Sequence, residues 1–266
     1  MRLCFVLIIC FFFFKDPLSA APLQTANIAH PQDPSKQIEI IISTLETKEK
    51  FPLVVLLHGS SMKNGAGDFN PKYYQFGAEK GIAVAAISLP GFGKSGGQND
   101  FCGPFTMHAL HAAIDHLKQH LPVTSVGIIG FGVGGLAATL LSSQRDDLGY
   151  VISANGVYDL SRLFDKGDMI RNVLVETGIA IEFTLPAIHM RSPMETTSNI
   201  CCPMFLLHRK FNSQVREDEV MRFSDAVNDQ GGDCTVVFLE GGEHDQKISL
   251  CEVIKAAGKW IEDHLD

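Results

Sequence analysis

Cysteine is sparse in this sequence and badly spaced for a metal. There are seven, and no two of them stand two residues apart, so a zinc site built from C-x-x-C pairs is excluded. Five follow residue 20 (Cys102, Cys201, Cys202, Cys234 and Cys251), an odd number that leaves at least one thiol over within the chain. Basic charge is short as well: 22 Lys and Arg face 30 Asp and Glu, a net charge of −8. Such a surface repels nucleic acid and anionic membranes, which removes both from the expected partners. Long hydrophobic runs are missing too, because the run Leu3 to Phe14 has 12 residues where a spanning helix needs about 20. No repeat or low-complexity tract is visible, so solenoid and fibrous architectures are excluded.

What is present begins with an export pattern. Arg2, the apolar run and the small residues Ser19, Ala20 and Ala21 together predict a signal peptide over residues 1–20, cut after Ala20. Lys15 and Asp16 interrupt the approach to the cut, and an uncleaved anchor is the alternative. The mature chain is then exported, periplasmic or secreted. Loss of Arg2 and Lys15 on one side and Asp16 on the other leaves 20 basic against 29 acidic residues. Residues 21–37, rich in Pro, Gln and Asn, read as an N-terminal linker, and residues 38–266 as one domain of ordinary size.

Within that domain strands and helices alternate. Ile38 to Ser43, Pro52 to Leu57, Ile82 to Ser88, Tyr150 to Ala154, Met204 to Leu207 and Thr235 to Leu239 read as strands. Several are apolar throughout, which belongs to a parallel sheet covered on both faces. Helices are expected near Pro71 to Lys80, Pro104 to His120, Val215 to Asn228 and Ser249 to His264. The predicted class is α/β, a doubly wound, mainly parallel sheet with right-handed crossovers. Residues 156–200 carry no strand pattern and are expected to form a small helical cap, with helices at 169–177 and 179–185. His108, His111, His116 and His120 lie off the apolar face of their helix; spacing of three or four suits a shared metal, but no acidic or cysteine partner converges, and a solvated polar face is the expectation. Neither a metal nor another cofactor is expected.

The stretch Val123 to Thr139 organises the rest. A β-branched run leads into Gly130-Phe131-Gly132-Val133-Gly134-Gly135 and then into a small, apolar helix. That is strand, sharp turn, helix. With His58-Gly59 after a strand, Pro90 to Ser95 after the next, Ser192-Pro193 ahead of Pro203 to His208, and Gly241 to His244, the chain resembles the α/β-hydrolase superfamily. The likeness covers nearly all of residues 38–264, and its nearest branches are the prolyl-oligopeptidase-like and dienelactone-hydrolase-like ones. The resemblance implies a hydrolase of carboxylic esters, lactones or peptides whose nucleophile sits at the middle of a G-x-S-x-G turn.

Carried over residue by residue, the resemblance places Gly132 at the nucleophile, Asn212 at the acid and His244 at the base, with the backbone N–H groups of Ser60 and Val133 as the oxyanion pair. Acyl transfer needs an oxygen or sulfur nucleophile, an imidazole to take its proton and a carboxylate to orient that imidazole. Glycine offers no nucleophile and asparagine no charge, so efficient serine-hydrolase activity is not expected and a pseudoenzyme is. Two alternatives stand beside it: a binder of a small acyl or lactone ligand in a retained cleft, and a weak hydrolase or lyase using His244 and the oxyanion loop. Replacement nucleophiles are poor. Gly93-Lys94-Ser95-Gly96-Gly97 fits G-x-S-x-G but runs on into loop; Ser60 and Ser61 suit the oxyanion loop better; Cys102 has nothing near it in sequence to lower its pKa. A shifted acid fares no better: Asn155 is uncharged, and Asp159 suits a cap or turn. Cys234 is expected to pair with Cys202 or Cys201, because the last two strands are expected to be neighbours.

Overall fold

The computed structural model describes residues 21–47, 49–165, 184–240 and 247–265. Eight strands form one sheet: β1 Gln24–Ala29, β2 Gln37–Ser43, β3 Phe51–Leu57, β4 Ala83–Ile87, β5 Val123–Phe131, β6 Tyr150–Ala154, β7 Met204–Arg209 and β8 Cys234–Leu239. Their order is β1-β2-β4-β3-β5-β6-β7-β8. The β1–β2 and β2–β4 pairs are antiparallel, and the other pairs are parallel.

Strand β3 shows why the sheet is covered twice. Its odd positions Leu53, Val55 and Leu57 enter one apolar cluster, and its even positions Val54 and Leu56 enter another. The period-2 geometry of a strand sends alternate side chains to opposite faces, so an unbroken apolar run needs two helical layers. On the first face lie α2 (Pro104–His120), α3 (Val133–Gln144) and α6 (Glu217–Asp229); on the second lie α1 (Lys72–Glu79) and α7 (Leu250–Glu262). Leu110 and Ile114 of α2 are fully buried, each worth about 1.5–3 kcal/mol relative to exposure. Helix starts carry their own chemistry. Asp100 accepts from the N–H groups of Phe105 at 2.9 Å and Thr106 at 3.3 Å in the first turn of α2. Ser249 and Glu252 form a capping box on α7.

The segment 21–37 is not simply a linker. It contains β1, an edge strand paired with β2 in the register Gln24↔Ile42 to Ala29↔Gln37. Its composition is polar because one face is open to solvent; only Ala26 and Ile28 turn inward, partly buried against the core. Two short helices, α4 (Leu160–Asp165) and α5 (Leu185–Met190), and a 3-10 stretch, Pro193–Asn199, lie where the cap is expected. The expected helix at 169–177, and the one at 179–185 apart from residues 184 and 185, lie outside the described residues.

The expected disulfide is a second correction: Cys202 and Cys234 are free, as are Cys102, Cys201 and Cys251. The register sets Cys234 opposite Met204, so Cys202 lies two residues along. At about 3.3 Å per residue and 4.8 Å between strands, the offset puts the two Cα atoms about 8 Å apart, beyond the usual bridging span. Burial pushes the Cys202 thiol up to about 12 and the Cys234 thiol up to about 11.

Candidate active site

The carboxyl ends of β3, β5, β6 and β7 open into one cleft of about 420 Å³, whose lining includes Ser60, Phe69, Gly132, Asn155, Asn212 and Lys247. Gly132 stands at the turn between β5 and α3 with φ 53° and ψ −113°, outside the regions ordinary residues favour. Its N–H donates to Ala154 O at 2.9 Å, which ties the turn to β6, and its carbonyl accepts from Leu136 N at 3.0 Å, which starts α3.

The glycines around it divide sharply. A Cβ on Gly130 would meet Gly134 O at 2.1 Å, one on Gly134 would meet Leu57 O at 2.3 Å, and one on Gly135 would meet Ser153 Oγ at 2.8 Å. These three are glycine because strand and helix touch there. A Cβ on Gly132 would meet nothing nearer than Gly59 Cα at 4.0 Å. Packing leaves room for a side chain at that position.

The loop after β3 supplies the opposite wall. His58 is completely buried: its Nε2 accepts from Leu89 N at 2.9 Å, which assigns the ring proton to Nδ1, and Nδ1 donates to Gly59 O at 3.1 Å. Burial holds its pKa below the usual histidine value, so the ring is neutral. His58 thus clamps the loop carrying Ser60 to the loop after β4, a role the sequence reading did not assign. Among the described residues no protein acceptor takes the N–H of Ser60 or of Val133. Val133 is the first residue of α3, so its amide is one of the first-turn donors without a partner inside the helix.

Asn212 also reaches the cleft, but its Oδ1 is occupied. It accepts from Gln214 N and Val215 N, both at 2.9 Å, closing an Asx turn. Asn155 adopts φ 50°, and its Oδ1 accepts from Arg209 N at 2.9 Å. Arg209, buried, reaches Glu252 Oε1 at 2.7 Å and so joins the end of β7 to the first turn of α7. His244 lies outside the described residues; Lys247 and Ser249, which follow it in the chain, line the cleft.

The other candidates are taken up elsewhere. Ser95 is buried, with Oγ donating to Ser88 O at 2.6 Å and accepting from Glu39 N at 2.9 Å. Buried Glu39 completes that cluster, its Oε2 accepting from Ser88 Oγ at 2.7 Å and from Lys94 N at 3.0 Å. Ser95 therefore holds a loop. The Cys102 thiol is raised far above its ordinary value by burial, and its Sγ faces Val133 O at 3.4 Å. Ser61 lines the cleft on the same loop as Ser60. Asp159 accepts from Ser161 N at 3.1 Å at the start of α4 and lies 3.9 Å from both Arg162 and Arg222. On α2, His108 and His120 each donate from Nδ1 to the carbonyl one turn back.

The fold built on this mainly parallel eight-stranded sheet recurs in solved structures. The Pyrococcus furiosus esterase superposes with a TM-score of 0.69 at 17% identity, over 92% of this chain and 92% of that one. A puromycin-hydrolyzing peptidase of Mycobacterium tuberculosis superposes with a TM-score of 0.77 at 18% identity. The chain has the α/β-hydrolase fold. The acylaminoacyl peptidase of Pyrococcus horikoshii shares this α/β-hydrolase fold too, with a TM-score of 0.74 at 17% identity. The chain spans 39% of the Mycobacterium peptidase and 42% of the Pyrococcus one, while 92% and 93% of its own length is covered. No family model matches the sequence, and no curated protein does.

Proposed function

We propose that this is an exported protein of ester- or peptide-hydrolase descent that has lost efficient serine-hydrolase chemistry and uses the cleft to hold a small acyl or lactone ligand. The observation that carries this reading is Gly132: the elbow keeps its strained backbone and the space above it, while the side chain that would attack a carbonyl is absent. Asn212 adds to it. An uncharged amide cannot stabilise an imidazolium as a carboxylate does, and in serine proteases that change alone lowers turnover about 10⁴-fold.

What remains suits recognition. The N–H groups of Ser60 and Val133 are donors for a carbonyl oxygen that need no side chain, and the cleft wall offers the ring of Phe69 and the cation of Lys247. Fluorophosphonate probes, which label activated serines, are expected to leave the purified protein unmodified. A panel of short acyl esters and lactones is expected to raise its unfolding temperature without being consumed. Stoichiometric labelling of any serine would overturn the reading.

The open space above Gly132 favours one second reading, in which a water sits there and His244 deprotonates it. Slow, saturable hydrolysis lost in His244→Ala would select it over binding alone. Export rests on the residue 1–20 pattern, and the intact mass of protein from its native host tests it: a chain starting at Ala21 is expected.

A further inference from the structure

Behind the cleft, on the face of the sheet covered by α1 and α7, lies a second cavity of about 350 Å³. Its floor is the sheet itself, Val54, Leu56, Val84 and Ile129, all buried. Tyr73 and Leu250 line both this cavity and the cleft, so the two spaces share a wall.

Two features of α7 bear on its use. Gly258 lies inside the helix, where glycine costs about 1 kcal/mol relative to alanine. Among the described residues a Cβ at Gly258 would meet only Ile254 Cγ2, at 3.9 Å. The missing side chain is cavity space. Gly77 on α1 is the contrast, since a Cβ there would press on Val84 Cγ2 at 2.4 Å. The second feature is charge at the mouth. Lys80 and Glu262 pair at 3.5 Å, whereas the exposed Lys259 has no ion-pair partner among the described residues. Among the described lining residues the rim therefore carries one positive charge outside that pair, beside an aliphatic interior.

We propose that this cavity binds a free saturated fatty acid of about ten to twelve carbons, its chain on the β3-β4-β5 floor beside Gly258 and its carboxylate at Lys259. The site is distinct from the cleft and shares a wall with it at Tyr73 and Leu250. It does not rest on the reading of Gly132.

The test is calorimetric titration of the purified protein with octanoate, decanoate and dodecanoate, below micelle-forming concentrations. Saturable binding at one per chain is expected, tightening about fourfold per added methylene until the cavity is full. Gly258→Phe fills the cavity from a helical position and is expected to abolish binding while the unfolding temperature holds or rises. Lys259→Met is expected to weaken binding about two- to fivefold, as for an exposed charge pair, and dodecanol is expected to bind about as weakly to the wild type. A photoactivatable fatty acid gives a readout independent of any variant, with labels expected on the peptides of α1 and α7. Absence of binding, equal binding by Gly258→Phe, or labels confined to the cleft would overturn the proposal. A wild-type dimer that Gly258→Phe dissociates would assign the cavity to a second copy of the chain and overturn it equally.

Discussion

Placing a serine at position 132 and an aspartate at position 212 is the severest test of the proposed hydrolase descent. In Gly132→Ser the new Cβ enters space clear to 4.0 Å, so the cost is conformational: φ 53° is strained for a residue with a Cβ, by about 1–3 kcal/mol. A domain with about 5–15 kcal/mol of stability tolerates that. In Asn212→Asp the new carboxylate keeps both backbone bonds, because the accepting atom, now at 2.9 Å from Gln214 N and Val215 N, is an oxygen either way. The variants are expected to act together. A serine without an oriented base is handicapped by about 10⁴, so the double variant should exceed Gly132→Ser alone by up to that factor in kcat/KM for p-nitrophenyl acetate, with Asn212→Asp alone at background. Adding His244→Ala should remove the gain. Thermal unfolding must accompany the assay. A well-folded double variant that neither hydrolyses the ester nor takes a fluorophosphonate label would refute the argument that elbow, Asx turn and histidine belong to one site.

Further outcomes follow from the packing and the buried groups. Gly130→Ala, whose Cβ would meet Gly134 O at 2.1 Å, should cost about 3 kcal/mol or more by denaturant unfolding, whereas Gly132→Ala should cost only the conformational strain; equal costs would refute the division among the glycines. His58 and His208 are buried with pKa values pushed below the ordinary 6.5, so as pH falls below about 6.5 the unfolded chain takes up protons that the folded one refuses. Stability should then fall between pH 6.5 and 5 by up to about 1.4 kcal/mol per pH unit for each ring; the carboxylates with lowered values, such as Glu252 beside Ser249 and Arg209, act at lower pH, and a flat profile down to pH 5 would contradict the burial. Of the five thiols, the exposed Cys201 and Cys251 should alkylate in the native protein without reductant, and Cys102, Cys202 and Cys234 only on unfolding, as peptide mapping would show.

Much of the sheet is legible in the sequence because its strands are buried on both faces: β6 is expected and found at Tyr150–Ala154. Edge strand β1 escapes because a strand with one wet face needs only Ala26 and Ile28 to turn inward, and so short an apolar pattern among Gln24, Thr25 and Asn27 reads as linker. The elbow is legible from glycine spacing, but not which glycines are forced, since that depends on Leu57 and Ser153 arriving from other strands. Ser95 fits a nucleophile motif until Glu39, 56 residues earlier, is seen to engage its hydroxyl. Only the fold shows Glu252, 43 residues on, as a partner of Arg209.

The division among the elbow glycines bears on how such proteins are sorted. Gly130, Gly134 and Gly135 answer to the contact between strand and helix, a demand of folding that operates whether or not any substrate ever arrives. A turn held by that demand keeps its glycines whatever the cleft does, so their spacing is a record of architecture rather than of chemistry. Only position 132, where contact asks for nothing, is free to register whether the cleft runs a reaction.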